Sequence, residues 1–315
     1  MHVCIQSELT NIYNLFSLFS KSKTINAQAK INIFNGRKNN ISFPKDMTVL
    51  TIRGRDINNL QDPFNLIGIL QATFRFVAFH SCKNGVLLLH GSSSVYRKKA
   101  ICFLDDNNGS IKSASSIECA LISGEYLGDE FCFLDTKSMT IFSYKLIPIH
   151  FRPIVEEHVR KNHGVNIHKG AYGISPAGYF VYPDSLFTVK ESAELGAFVY
   201  IKLADSYTHS RFVRSKKQIK ELMFASLGTH MLKLLSPNLD RMNFCERSDT
   251  SETMILNASS LENIVFEYIP QKSFEKILDN VPFLTISADS PCKANNELLR
   301  KLDALFKDKM RQEIA

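Results

Sequence analysis

Apolar and polar residues alternate on both sides of an Asn/Gly-rich turn in residues 30–43 ("KINIFNGRKNNISF"), the pattern of two short strands. "MTVLTIRG" predicts a further strand that ends at Gly54. From Phe64 to about Cys82 the period lengthens. Leu66, Ile69, Leu70, Thr73, Phe74, Val77 and Ala78 recur at helical spacing, and the Lys83-Asn84-Gly85 turn closes the helix. "GVLLLHG" and "KAICFLDD" are continuous apolar runs, read as buried strands with "SSSVYRKK" as a polar turn between them. The loop "DDNNGSIKS" leads into a helix from about Ser113 to Ile122, and "EFCFLD" is the next strand. Beyond "FSYKLIPIHFRP" the pattern weakens: Gly164 to Pro183 reads as loop and strand, and Lys216 to Leu235 as a helix. "MILNASSLENIVFEYIPQKSFEKILDNV" reads as a strand followed by a helix. The C-terminal "NNELLRKLDALFKDKMRQEIA" is an amphipathic helix with Leu298, Leu302, Leu305 and Phe306 on one face.

Composition narrows the class. With 315 residues, 44% hydrophobic and 22% charged, the chain can bury a large core. Its formal net charge of +7 is spread along the sequence. The densest basic stretch, Arg211 to Lys220, lacks interleaved aromatics and reads as the solvated face of a helix, so no nucleic-acid partner is expected. Seven cysteines without a CxxC pair, several inside apolar runs, fit free thiols in a reducing cytoplasm. No stretch reaches the roughly 18 apolar residues of a membrane span, and the N-terminal "LFSLF" lacks the flanks of a signal peptide. His150, His158, His163 and His168 fall close together without the spacing of a zinc site and read as surface histidines.

The loop between strand and helix carries the chemistry. A phosphate cradle needs a small-residue turn, a helix N-terminus, a lysine for the terminal phosphates and a hydroxyl for Mg²⁺. Asp106-Asn107-Asn108-Gly109-Ser110-Ile111-Lys112-Ser113 keeps the Lys and Ser of G-x-x-x-x-G-K-[ST], with Asp106 and Ile111 at the two glycine positions. Alone, such a string is more often a capped helix start. Its surroundings add His90-Gly91 at the end of one strand and Gly128-Asp129-Glu130 at the start of another.

Residues 65 to 135, and above all "GVLLLHGSSSVYRKKAICFLDDNNGSIKSASSIECALISGEYLGDEFCFL", resemble the core of HPr kinases and their PEP-carboxykinase-like relatives, including peptide-serine kinases. The resemblance implies an α/β (in stricter usage α+β) nucleotide-binding core with a mixed sheet and a P-loop at a strand–helix junction. It implies ATP and Mg²⁺ as cofactors. Asn108, Gly109, Ser110, Ile111, Lys112 and Ser113 would cradle the phosphates, with Lys112 on the β- and γ-phosphates. Ser113, Asp129 and Glu130 would hold Mg²⁺. Asp129 would act as the base toward the acceptor hydroxyl, with His90 beside the γ-phosphate. The expected domains are an N-terminal β-rich lobe over 1–62, a phosphate-binding domain over 63–290 and a C-terminal helix over 291–315.

The expected function is an ATP-dependent kinase acting on a hydroxyl of a peptide, a protein or a small molecule. The alternatives are a nucleotide-binding scaffold without turnover and another phosphate transfer on the same fold. Self-association into a homo-oligomer stays open. Arg152 and the Lys169-Gly170 pair are secondary candidates for phosphate or substrate contact, and Ser92 to Ser94 reads as part of the polar turn.

Overall fold

The computed structural model describes residues 3–7, 29–37, 40–42, 48–81, 85–104, 110–143, 148–167, 171–175, 178–204, 208–235 and 271–314. These form a mixed α/β protein with six helices and a many-stranded mixed sheet. The chain divides into two compact units, residues 1–88 with 228–269, and residues 89–227 with 270–315.

The first unit holds a four-stranded sheet of β1 (Val3–Ser7), β2 (Ala29–Asn35), β3 (Asn40–Ser42) and β4 (Val49–Gly54), in the order β1-β2-β4-β3. In β2, buried Ala29, Ile31 and Ile33 alternate with half-buried neighbours, as period-2 patterning requires. The two alternating runs expected to flank one turn do not pair with each other. β3 pairs antiparallel with β4, and β2 pairs parallel with β4 from its other side. Helix α1 (Pro63–Ser81) follows, matching the expected helix to within a residue at either end.

The second unit is built on a nine-stranded sheet. Its strands are β5 (Val86–Tyr96), β6 (Lys99–Leu104), β7 (Glu125–Gly128), β8 (Phe131–Asp135), β9 (Thr140–Phe142), β13 (Thr188–Val189), β14 (Ser192–Leu203), β15 (His209–Phe212) and β16 (Phe283–Ala288). β6 lies antiparallel to β5 and parallel to β14, β14 is parallel to β16, and β15 closes that side antiparallel to β16. The pairings β5–β8–β9–β14–β6–β5 return on themselves, so β5 and β6 are closed into one ring with β8, β9 and β14. A smaller sheet of β10 (Ile149–Phe151), β11 (Ala171–Ser175) and β12 (Gly178–Val181) runs antiparallel in the order β10-β12-β11.

The remaining helices are α2 (Ser110–Ser123), α3 (Pro153–His163), α4 (Lys216–Leu235), α5 (Gln271–Asn280) and α6 (Pro291–Ile314). One face of the central strands (Ala197, Val199, Leu284, Ile286) packs against Leu298, Leu302 and Phe306 of α6, the stripe visible in the sequence. α2 serves two cores. Cys119 joins the α6 side, while Ala114, Ile117 and Ala120 pack with Val155 and Val159 of α3. Ser115 Oγ donates 2.7 Å to Asn295 Oδ1, tying α2 to α6 at a buried point.

Three expectations are corrected. Ser92–Ser94 are not a turn: β5 runs through them, all three are buried, and the turn shrinks to Arg97-Lys98, both at positive φ (50° and 65°). Serine is small enough to sit in a buried strand, and two left-handed residues suit a tight hairpin. Arg211–Lys220 is not one helical face, because Arg211 belongs to β15 and the helix begins at Lys216. The histidine group is not simply scattered on the surface: His158 and His163 both contact the Glu118 carboxylate, at 3.1 and 2.8 Å. Among the described residues no helix is long and apolar enough to cross a membrane.

Candidate active site

Strand β5 delivers His90. The residue after it must be glycine, because a Cβ on Gly91 would stand 2.6 Å from the carbonyl oxygen of Phe103 in the paired strand β6. From α4, Ser226 Oγ donates 2.9 Å to the His90 carbonyl and fixes the backbone there. Lys112 enters from the first turn of α2, with Ser113 next to it. Asp129 and Glu130 occupy the two-residue link between β7 and β8, which flank β5 in the sheet. Glu130 adopts φ 67°, a left-handed conformation uncommon for a residue with a side chain.

These residues, 40 positions apart at the extremes, meet side chain to side chain. Lys112 Nζ lies 3.0 Å from His90 Nε2 and 3.2 Å from Glu130 Oε2, and His90 Nε2 lies 3.0 Å from Glu130 Oε1. The ring nitrogen cannot serve both neighbours at once. It either accepts from the Lys112 ammonium or donates to the Glu130 carboxylate, so the tautomer of His90 is coupled to the state of the pair. Ser113 Oγ donates 2.8 Å to Asp129 Oδ1. Lys112 is only 5% exposed and His90 also 5%, so their contacts act in a medium of low polarity.

The electrostatics follow from that enclosure. Burial pushes the Asp129 carboxyl above the usual aspartate range. The Lys112 ammonium opposes the rise, Glu130 adds to it, and the Ser113 hydroxyl opposes it. Burial also raises the Tyr126 phenol well above its ordinary value, with the Asp129 charge adding to the effect. Burial and a hydrogen bond with Cys132 hold the Cys102 thiol well above the thiol range, so it behaves as packing rather than as a nucleophile. His150 of β10, stacked on Phe180 at 4.7 Å, is pushed down by burial and then by Arg152, while Glu130 pulls it up.

Of the expected site residues that are described, five come together: His90, Lys112, Ser113, Asp129 and Glu130. Ile111 is buried at 7% exposure, so its side chain belongs to the core. Ser110 is the first residue of α2, three positions before the expected helix start. Asn108 and Gly109, with Asp105 and Asp106, lie outside the described residues, as do His168 and the Lys169-Gly170 pair. Arg152 is exposed and stands at the N-cap of α3. The α3 helix itself was signalled by Pro153 at its start and Gly164 at φ 66° after its end, a pairing the weak periodicity of the segment concealed.

The donor chemistry suits a hard divalent cation. Ser113 Oγ and Asp129 Oδ1 are adjacent oxygen donors, whereas the Glu130 oxygens are engaged by Lys112 and His90. Among the described residues no three His, Cys, Asp or Glu side chains gather as a metal centre. Mg²⁺ needs no such centre, since it commonly takes one or two carboxylates and completes its shell with water and phosphate oxygens. No family model matches the chain, and no curated protein matches it.

Proposed function

We propose that this chain is an ATP-dependent kinase of the HPr-kinase and PEP-carboxykinase-like type, which moves a γ-phosphoryl group onto a hydroxyl of a peptide, a protein or a small molecule. The observation that carries the reading is the meeting of Lys112 with His90 and Glu130, beside the Ser113–Asp129 pair, at the start of a helix that follows a buried strand. A buried ammonium at a helix N-terminus is the arrangement that favours a polyanionic phosphate group.

In this reading Lys112 turns from Glu130 and His90 toward the β- and γ-phosphates as nucleotide enters. Asp129, its carboxyl made more basic by burial, takes the proton of the acceptor hydroxyl. The acceptor oxygen forms its bond to the γ-phosphorus as the bond from that phosphorus to the β–γ bridging oxygen breaks, and ADP leaves. Mg²⁺, held through Ser113 and Asp129, would neutralise charge on the phosphate oxygens. His90, kept in place by Ser226, lies on the γ-phosphate side and exchanges its proton with Glu130 as Lys112 moves away.

A second reading, nucleotide binding without turnover, draws on one observation: Lys112 already holds a carboxylate and an imidazole, which a phosphate must displace. Incubation with Mg²⁺, labelled ATP and candidate acceptors, beside Lys112→Ala and Asp129→Asn, separates the two. Label transfer that both substitutions abolish supports the kinase. Binding by calorimetry without transfer to any acceptor supports the scaffold, and no binding at millimolar ATP removes both.

A further inference from the structure

A second site lies on the same unit, lined by none of the residues of the Lys112 cluster. It is a cavity of about 560 Å³ over the end of the central sheet, between β14, β16 and β15 and the first turns of α4. Strand register explains its lining. Tyr200 pairs with Thr285, which pairs with Arg211; two residues on, Lys202 pairs with Ser287, which pairs with His209. Alternation puts these six side chains on one face in two rows. The intervening residues take the opposite face, where Leu284 and Ile286 enter the α6 core and Ser210 Oγ bonds to Glu297 of that helix. Gln218 and Glu221 of α4 form the facing wall.

The lining is polar where the same sheet face is apolar further along: Phe198 and Phe283, one row back, are buried. Lys202 and Arg211 are both exposed, and neither forms an ion pair among the described residues. Among the described residues two cations therefore face one carboxylate, Glu221, across an open trough. Rows on a strand face repeat about every 7 Å, which is also the repeat of alternate side chains along an extended chain laid beside them. A short peptide with acidic residues at every second position would present its carboxylates in register with the Arg211 row and the Lys202–His209 row. We propose that this groove binds an extended acidic peptide segment, with Lys202 and Arg211 as its charge contacts.

The test uses the full chain and a fluorescently labelled peptide alternating Glu with Thr, followed by anisotropy. Binding should weaken as salt rises, and it should be lost when Gln replaces Glu in the peptide. Lys202→Glu with Arg211→Glu should weaken it about tenfold or more. The same double reversal at Arg214 and Lys217, exposed basic residues outside the groove, should leave it within about twofold, as should Lys112→Ala. The groove variant, confirmed as folded by circular dichroism, should instead take up the Lys-for-Glu peptide. Equal binding of the Gln peptide, equal loss on reversal at Arg214 and Lys217, or no loss on reversal at Lys202 and Arg211 overturns the proposal. Displacement of the peptide by succinate or inorganic phosphate at the peptide's own concentration overturns it in favour of a small-anion site.

Discussion

Ser113 Oγ donates a 2.8 Å hydrogen bond to Asp129 Oδ1, joining the first turn of α2 to the link between β7 and β8. The bond brings the hydroxyl that follows the loop lysine against the carboxylate that follows the Gly128 turn. It also places two oxygen donors side by side next to a buried ammonium. Strand β5, the first turn of α2 and the β7–β8 link converge there, so perturbing any one of them is felt at the cluster and in the stability of the unit.

Asp129→Asn should separate those two effects. Burial is the main cause that raises the Asp129 carboxyl, so the folded protein holds its proton more tightly than the unfolded chain, where aspartate titrates near about 3.9. A raised folded value contributes stability that is present below the unfolded pKa and is lost as pH rises through the folded one. Asparagine carries no such loss and still accepts from Ser113. The variant should therefore have a higher urea midpoint than the parent at pH 7.5, with the gain gone below about pH 3.5. Phosphoryl transfer should fall by about 10²–10⁴.

Lys112→Met keeps most of the aliphatic stem and removes the charge. It leaves the Glu130 carboxylate, 26% exposed, beside a buried imidazole without a cation, at a cost of about 1–3 kcal/mol. Calorimetry should show nucleotide binding abolished. Lys112→Arg should not restore it, because a planar fork cannot occupy the point where one nitrogen meets both His90 and Glu130. Nucleotide binding unchanged in either variant would place the nucleotide elsewhere.

How much of this was legible in the sequence depended on the range of the interaction. Helix α1, the α6 stripe and the β6–α2 junction follow from local periodicity and were readable. The partner of β3 was not: an Asn/Gly turn suggests the preceding strand as neighbour, but β4 lies between the two and pairs with both. Ser92–Ser94 misled for a related reason, because polarity argues for a turn while strands on both sides demand small buried residues. The candidate site was legible as residue types at a spacing. Its central feature, one lysine shared by His90 and Glu130, arises from β5 lying between β7 and β8, which no spacing reveals. The cationic groove is less legible still, since its two cations come from strands that meet through β16.

Gly91 and Gly124 should respond differently to alanine. A Cβ at Gly91 meets the backbone oxygen of Phe103 at 2.6 Å, and that strand cannot retreat without opening the ring. At Gly124 the side chain has open space and the obstacle is only φ +77°. Gly124→Ala should cost about 1 kcal/mol of backbone strain and leave nucleotide binding intact. Gly91→Ala should cost about 1–3 kcal/mol and, if the nucleotide binds at the Lys112 cluster, weaken that binding as well, since it displaces β6 beside His90. Thermal denaturation beside calorimetry reads both.

Glu130 sets two effects against each other. Its φ of 67° strains the backbone, at about 1 kcal/mol, while its carboxylate balances the buried Lys112. Glu130→Gln keeps the strain and the shape and removes the charge, so it should destabilise by about 1–3 kcal/mol. Glu130→Gly removes the charge and the strain together. Because the Glu130 side chain is 26% exposed, water can reach the space it leaves, and the glycine variant should be the more stable of the two. Repeating both substitutions in the Lys112→Met background isolates the terms. Without the ammonium the glutamine penalty should vanish, whereas the advantage of glycine over glutamine should persist, since it belongs to the backbone. If the glutamine penalty survives in that background, the stability contributed by the carboxylate comes from its contact with His90 rather than with Lys112.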